Sequence, residues 1–122
     1  MTDETTVTAW MTAYLTAWDS NEPDDIRALF TDDAQYLTAP FEPARVGVDA
    51  IVDGWLDDRD EPGDHTFTWS ILGIDGDVAF VEGDTQYLGG DDGERAYANL
   101  WVIRFAGDGR ASSFTEWYMR KP

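Results

Sequence analysis

In the run Ser112-Ser113-Phe114-Thr115-Glu116-Trp117-Tyr118-Met119, the period of a strand puts Phe114, Glu116 and Tyr118 on one face and Thr115, Trp117 and Met119 on the other. A carboxylate between two aromatic rings is costly inside a protein. It must be hydrogen-bonded, paired, neutralised by a raised pKa or wetted by a cavity. A pocket meets that need most simply, and a carboxyl with a raised pKa can then act as a general acid or base. On Val78 to Leu88, Phe80 shares a face with Glu82, Asp84 and Gln86. With that face inward, these three join Asn99 (beside Trp101) and Glu116, and the acids share at least one proton, with no Arg or Lys on the inward faces to compensate. The opposite orientation stays open, with Val81, Thr85 and Tyr87 inside and Glu82, Asp84 and Gln86 in water, because a slip of one residue exchanges the faces.

Glu116 can also be read as a purely structural, hydrogen-bonded acid. His65, the one imidazole, opens a strand near the expected pocket mouth and could move protons near neutral pH, or simply pair with Asp64 at the surface. Tyr14, Tyr36, Trp18, Trp55 and Trp101 are expected to line the cavity, although aromatic stripes at such spacings also build ordinary cores.

The elements that must position these groups are legible. Val7, Trp10, Met11, Tyr14, Leu15 and Trp18 form one stripe of a helix from about Glu4 to Asp19. Pro23-Asp24-Asp25 opens a short second helix with Ile26, Leu29 and Phe30 on its buried face, ended by Thr31-Asp32-Asp33. A strand is expected over Ala34 to Thr38, and a third helix from Asp49 with Ile51, Val52, Trp55 and Leu56 on one face. From His65 the period becomes two, and turns at Asp75-Gly76, at 89–93 and at 106–109 divide a four-strand antiparallel meander. The expectation is one α+β domain over residues 1–122.

The chain has 122 residues, 43% of them hydrophobic, so a real core underlies a net charge of -17. The acids gather in turn-like runs such as Asp57-Asp58-Arg59-Asp60 and Asp91-Asp92-Gly93-Glu94, read as solvated connections. Such a field repels phosphate backbones and anionic lipid, which excludes nucleic acid and membrane as partners of the bare surface and leaves neutral or cationic small molecules. With no Cys, one His and no EF-hand spacing, no metal or other cofactor is expected. No leader or spanning segment is legible, so a cytoplasmic location is expected.

Three stretches carry a family resemblance: Tyr14-Leu15-Thr16-Ala17-Trp18, Asp24 to Ala34 and Gly47-Val48-Asp49-Ala50-Ile51. They resemble the opening of the NTF2-like superfamily, and Asn99 to Phe105 with Phe114 to Tyr118 resemble its SnoaL-like branch. The resemblance implies a conical barrel: a strongly bent sheet wrapped around the first helix, with a pocket open at one end. Of the steroid-isomerase machinery only a helix-one tyrosine is matched, by Tyr14; Thr38 stands where the base would be and Trp101 where the second acid would be. Neither can carry a proton at neutral pH. Limonene-type epoxide hydrolases imply Tyr36 and Thr38 as water-holding positions and Asp84 with Glu116 as paired acids, with Glu82 in place of the intervening arginine. In SnoaL-type polyketide cyclases a strand acid lines a hydrophobic cup, which Glu116 resembles.

The reading is a cofactor-independent hydrolase, cyclase or isomerase for a small, mainly apolar substrate. Glu116, Asp84, Tyr14 and Tyr36 are its chemical groups, and Trp18, Thr38, Trp55, His65, Glu82, Asn99, Trp101, Phe114 and Tyr118 contact the substrate. A non-catalytic binding module and a dimeric assembly module remain alternatives. Because Arg95 to Phe105 is apolar on both faces while helices cover one, a homodimer is expected through Leu100, Val102, Trp117 and Tyr87.

Overall fold

The computed structural model describes residues 2–57, 64–88 and 94–122. The Asp58-Arg59-Asp60 and Asp91-Asp92-Gly93 segments, and with them the turn expected at 89–93, lie outside the described residues. Helix α1 runs Glu4–Ser20: the Asp3 side chain caps it by accepting from the Thr6 N–H, and Asn21 closes it in the left-handed conformation at φ 54°. Its buried stripe is Val7, Trp10, Met11, Tyr14 and Ala17, with Trp18 half-buried. Helix α2, Pro23–Arg27, is a single turn opened by its proline.

The second helix ends earlier than expected. Leu29 and Phe30 are buried, but Phe30 begins strand β1, Phe30–Leu37, which contains Thr31-Asp32-Asp33. Long-range pairing overrides the local helix signal here: Phe30 sits opposite Ala111 in a parallel ladder, and the Ala111 N–H donates to the Leu29 carbonyl at 2.8 Å. A two-residue strand, β2 (Arg45–Val46), pairs with β1 and precedes α3 (Val48–Asp57). The meander follows as β3 (His65–Asp75), β4 (Val78–Tyr87), β5 (Arg95–Phe105) and β6 (Ala111–Arg120). The curved six-stranded sheet has the order β2-β1-β6-β5-β4-β3, and among the described residues only the β1–β6 pair is parallel. No described helix is long and apolar enough to cross a membrane.

Register decides which side chains face the helices. Val81 lies opposite Trp101, Trp101 opposite Glu116, and Ile103 opposite Phe114, so these residues share the inner face. On the other face Glu82 lies opposite Leu100 and Leu100 opposite Trp117. The inward placement of Glu82, Asp84 and Gln86 is therefore corrected: all three are exposed, and Lys121 pairs with Asp84 on the outside. Tyr87 is corrected in the opposite sense, since it lies on the inner face and lines the cavity.

An aromatic cluster joins α1 to the sheet. Trp10 donates from Nε1 to the Leu29 carbonyl at 2.9 Å and meets Phe30 and Phe105 edge-on. Phe67 stacks on Trp101 at 4.8 Å by lying across Gly83, where a Cβ would collide with the ring. Gly83→Ala is therefore expected to cost about 1–3 kcal/mol in urea unfolding through overpacking. It should also alter the near-UV dichroism of Trp101. A fully stable variant with an unchanged spectrum would show that Phe67 does not depend on Gly83.

Candidate functional site

A cavity of about 340 Å³ opens between α1, α3 and the inner face of the sheet. Its buried wall includes Tyr14, Trp55, Thr85, Asn99 and Trp101, and its half-buried wall includes Arg45, Tyr87, Arg95 and Tyr97. Glu116 is the one acid on that wall among the described residues. The cross-strand register brings it to the Trp101 indole, and its Oε2 accepts from Trp101 Nε1 at 2.7 Å and from Asn99 Nδ2 at 2.9 Å. Asn99 is oriented in turn by Thr85, whose hydroxyl donates to Asn99 Oδ1 at 2.7 Å.

Burial raises the Glu116 pKa above its ordinary 4.5, against the opposing pull of the Trp101 and Asn99 hydrogen bonds. Both donors use Oε2, and among the described residues no group donates to Oε1. Oε1 is therefore the oxygen that these hydrogen bonds leave uncommitted.

The Tyr14 and Tyr36 hydroxyls hydrogen-bond each other at 2.9 Å. Burial is the main cause that pushes both phenols well above their usual value, and the Glu116 charge acts in the same direction on each. Both therefore stay neutral. One O–H bridges the pair, so the other remains available to an acceptor in the cavity. Both rings lie parallel to Phe114, at 5.7 Å and 4.7 Å, which makes Phe114 a buried platform and corrects its expected place as a cavity contact.

Of the other residues read from the sequence, Trp18, Thr38, Trp55, Asn99, Trp101 and Tyr118 line the cavity with Tyr14, Tyr36 and Glu116. His65 does not; its ring stacks on Trp18 at 3.8 Å, behind the wall. Asp84 and Glu82 are on the far side of the sheet, because every second residue of β4 points away from the helices. The pairing of Asp84 with Glu116 is thus ruled out by register, and so is a shared proton.

Arg45, Gly54, Thr85, Tyr87, Arg95 and Tyr97 line the cavity without having been expected there. Arg95 and Tyr97 share the parity of Asn99 and Trp101, so the signal for them was present in the strand. The absence of inward arginines is corrected by Arg95, whose guanidinium lies 4.3 Å from the Tyr87 ring centre. Arg45 lies over Tyr36 at 5.8 Å and passes Gly54, where a Cβ would stand 2.5 Å from its Nε. Glycine inside a helix costs about 1 kcal/mol relative to alanine, and passage of this side chain is a physical reason for it. Among the described residues no three of His, Cys, Asp or Glu assemble as metal ligands.

The SnoaL-like domain family matches residues 11–114. No curated protein matches the chain. Among solved structures it is similar to an NTF-2 like protein of unknown function from Burkholderia xenovorans LB400, with a TM-score of 0.75 and 16% identity over 98% of this chain and 87% of that one. It is also similar to a ketosteroid isomerase-like protein from Erwinia carotovora atroseptica SCRI1043, with a TM-score of 0.69 and 22% identity over 97% and 96% of the two chains. At these identities the likeness is one of fold.

The raised Glu116 pKa has a definite sign in stability. The folded carboxyl holds its proton to higher pH than the unfolded one, so the fold loses stability as pH rises from the ordinary value of 4.5 through the folded value, then levels off. Urea midpoints of wild type and Glu116→Gln measured across that window should diverge, with the variant gaining at the upper end. A constant difference would show that Glu116 ionises as an ordinary surface acid.

Proposed function

The chain belongs to the SnoaL-like domain family, and from that premise we propose that it is a cofactor-independent acid–base enzyme, an isomerase or cyclase, for a small, mainly apolar carbonyl compound. The observation that supports this most is the one-sided anchoring of Glu116, with both N–H donors on Oε2. A carboxylate held so presents Oε1 in a fixed direction, and its raised pKa brings it closer to the range in which proton transfer is efficient. The neutral Tyr14–Tyr36 pair supplies the complementary group, a phenol O–H for an oxygen on which negative charge develops.

In this mechanism the substrate carbonyl oxygen accepts from the free phenol O–H, and Glu116 Oε1 removes a proton from the adjacent carbon. The electron pair moves into the enolate. Glu116 then returns the proton at another carbon, which isomerises the substrate, or the enolate carbon closes on a second carbonyl carbon of the same molecule, whose oxygen takes the displaced electron pair and the proton from Glu116. Asp84 takes no part, and Thr38 and Trp101 do not replace the acids of the steroid-isomerase arrangement; Glu116 is the sole base. Without turnover the same cavity is a binding module, the alternative that the chemistry must exclude.

Exchange of α-protons into D₂O, followed by NMR for 2-tetralone and related apolar ketones, tests this reading. Wild type should accelerate exchange, Glu116→Gln should lose about 10²-fold or more, and Tyr36→Phe about tenfold. Exchange that is unchanged by Glu116→Gln would leave a cavity that binds without chemistry.

We further propose that two copies pair through the outer sheet face. Leu100 and Val102 are half-buried there, Trp117 is 42% exposed and Met119 74% exposed, with the helices all on the other side. Leu100→Glu should convert a dimer to a monomer in light scattering. An unchanged mass would show that this face is not the contact.

A further inference from the structure

The charge of the cavity wall runs against that of the chain. The protein carries 25 acidic and 8 Lys or Arg residues, yet the wall holds two arginines and one acid. Arg27, Arg110 and Lys121 are used in surface ion pairs with Asp49, Asp108 and Asp84. Arg95 enters no ion pair among the described residues; its guanidinium rests on the Tyr87 ring at 4.3 Å. Neither arginine acts as a counter-ion for Glu116, whose titration is governed by burial and by Trp101 and Asn99. Arg45 is admitted to the wall by Gly54 and seated over Tyr36.

We propose that the ligand carries an anionic oxyacid group, a carboxylate or a phosphate, held by the arginines of the wall, Arg95 and Arg45, while its apolar body lies against the aromatic rings of the same cavity. This rests on the cavity being the substrate site. A planar guanidinium fork matches two oxyacid oxygens, and partial burial strengthens the attraction over that of an exposed pair. The acidic exterior does not forbid such a ligand. Its repulsion is screened beyond about 8 Å at physiological ionic strength, whereas contact with the arginines is made inside the cavity. The ligand class thus departs from the neutral or cationic molecules that net charge alone suggests.

Quenching of tryptophan fluorescence by 2-naphthoate, 2-naphthyl phosphate and 2-naphthalenemethanol at physiological ionic strength provides the test. At least one anion should bind about tenfold more tightly than the alcohol, and which one does distinguishes carboxylate from phosphate. Arg95→Met should remove that preference by weakening the anion about tenfold more than it weakens the alcohol. Gly54→Ala, which displaces Arg45 without opening the core, should weaken the anion alone while the melting temperature holds or rises. If the alcohol binds as tightly as both anions, or the variants weaken all three probes equally, the anion assignment is overturned and the cavity reading stands. Failure of all three to bind overturns both.

Discussion

The opposition of Trp101 and Glu116 across the β5–β6 ladder is the contact on which the site depends. It puts the indole N–H on the carboxylate, and the same register places Asn99 beside it as the second donor. One register therefore solves two problems: it satisfies a carboxylate that burial would otherwise make very costly, and it leaves one oxygen of that carboxylate uncommitted. Shifting β6 by a single residue would send Glu116 to the outer face with Trp117 turned inward, and the site would vanish.

The aromatic core holds this register in place. Phe114, two residues before Glu116, is almost wholly buried beneath the parallel rings of Tyr14 and Tyr36, and it meets Trp101 edge-on. Each such ring contributes roughly 1.5–3 kcal/mol through burial, so the strand cannot slip without exposing several of them. The rings that stabilise the fold are in part the rings whose hydroxyls line the cavity. The core and the cavity wall share the Tyr14–Phe114–Tyr36 stack, and α1 supplies its first member.

The wall has a polarity that net charge conceals. It sets neutral phenols and a carboxyl with a raised pKa beside two guanidiniums that lie over tyrosine rings. A charge of -17 summed over the chain describes the solvated loops and helix surfaces, because salt screening makes the environment of a ligand inside a cavity a matter of its nearest few groups.

The stripe of Val7, Trp10, Met11 and Tyr14 determined α1, the alternation on Arg95 to Phe105 determined β5, and Phe114-Thr115-Glu116 identified the carboxylate, since each pattern is a local period strong enough to be read without partners. The family was legible for the same reason. The faces of β4 were not: Ala79 and Gly83 show little apolar surface, while Phe80 lends hydrophobicity to the wrong side, so only pairing with β5 could send Glu82 and Asp84 outward. The strand start at Phe30 likewise needed Ala111, some eighty residues away. The cavity arginines depended on more still, because Arg45 reaches the wall only by crossing Gly54 of a different element. Periodicity reports which side of an element is apolar; which side faces the cavity, and what meets it there, is decided by contacts between residues far apart in the chain.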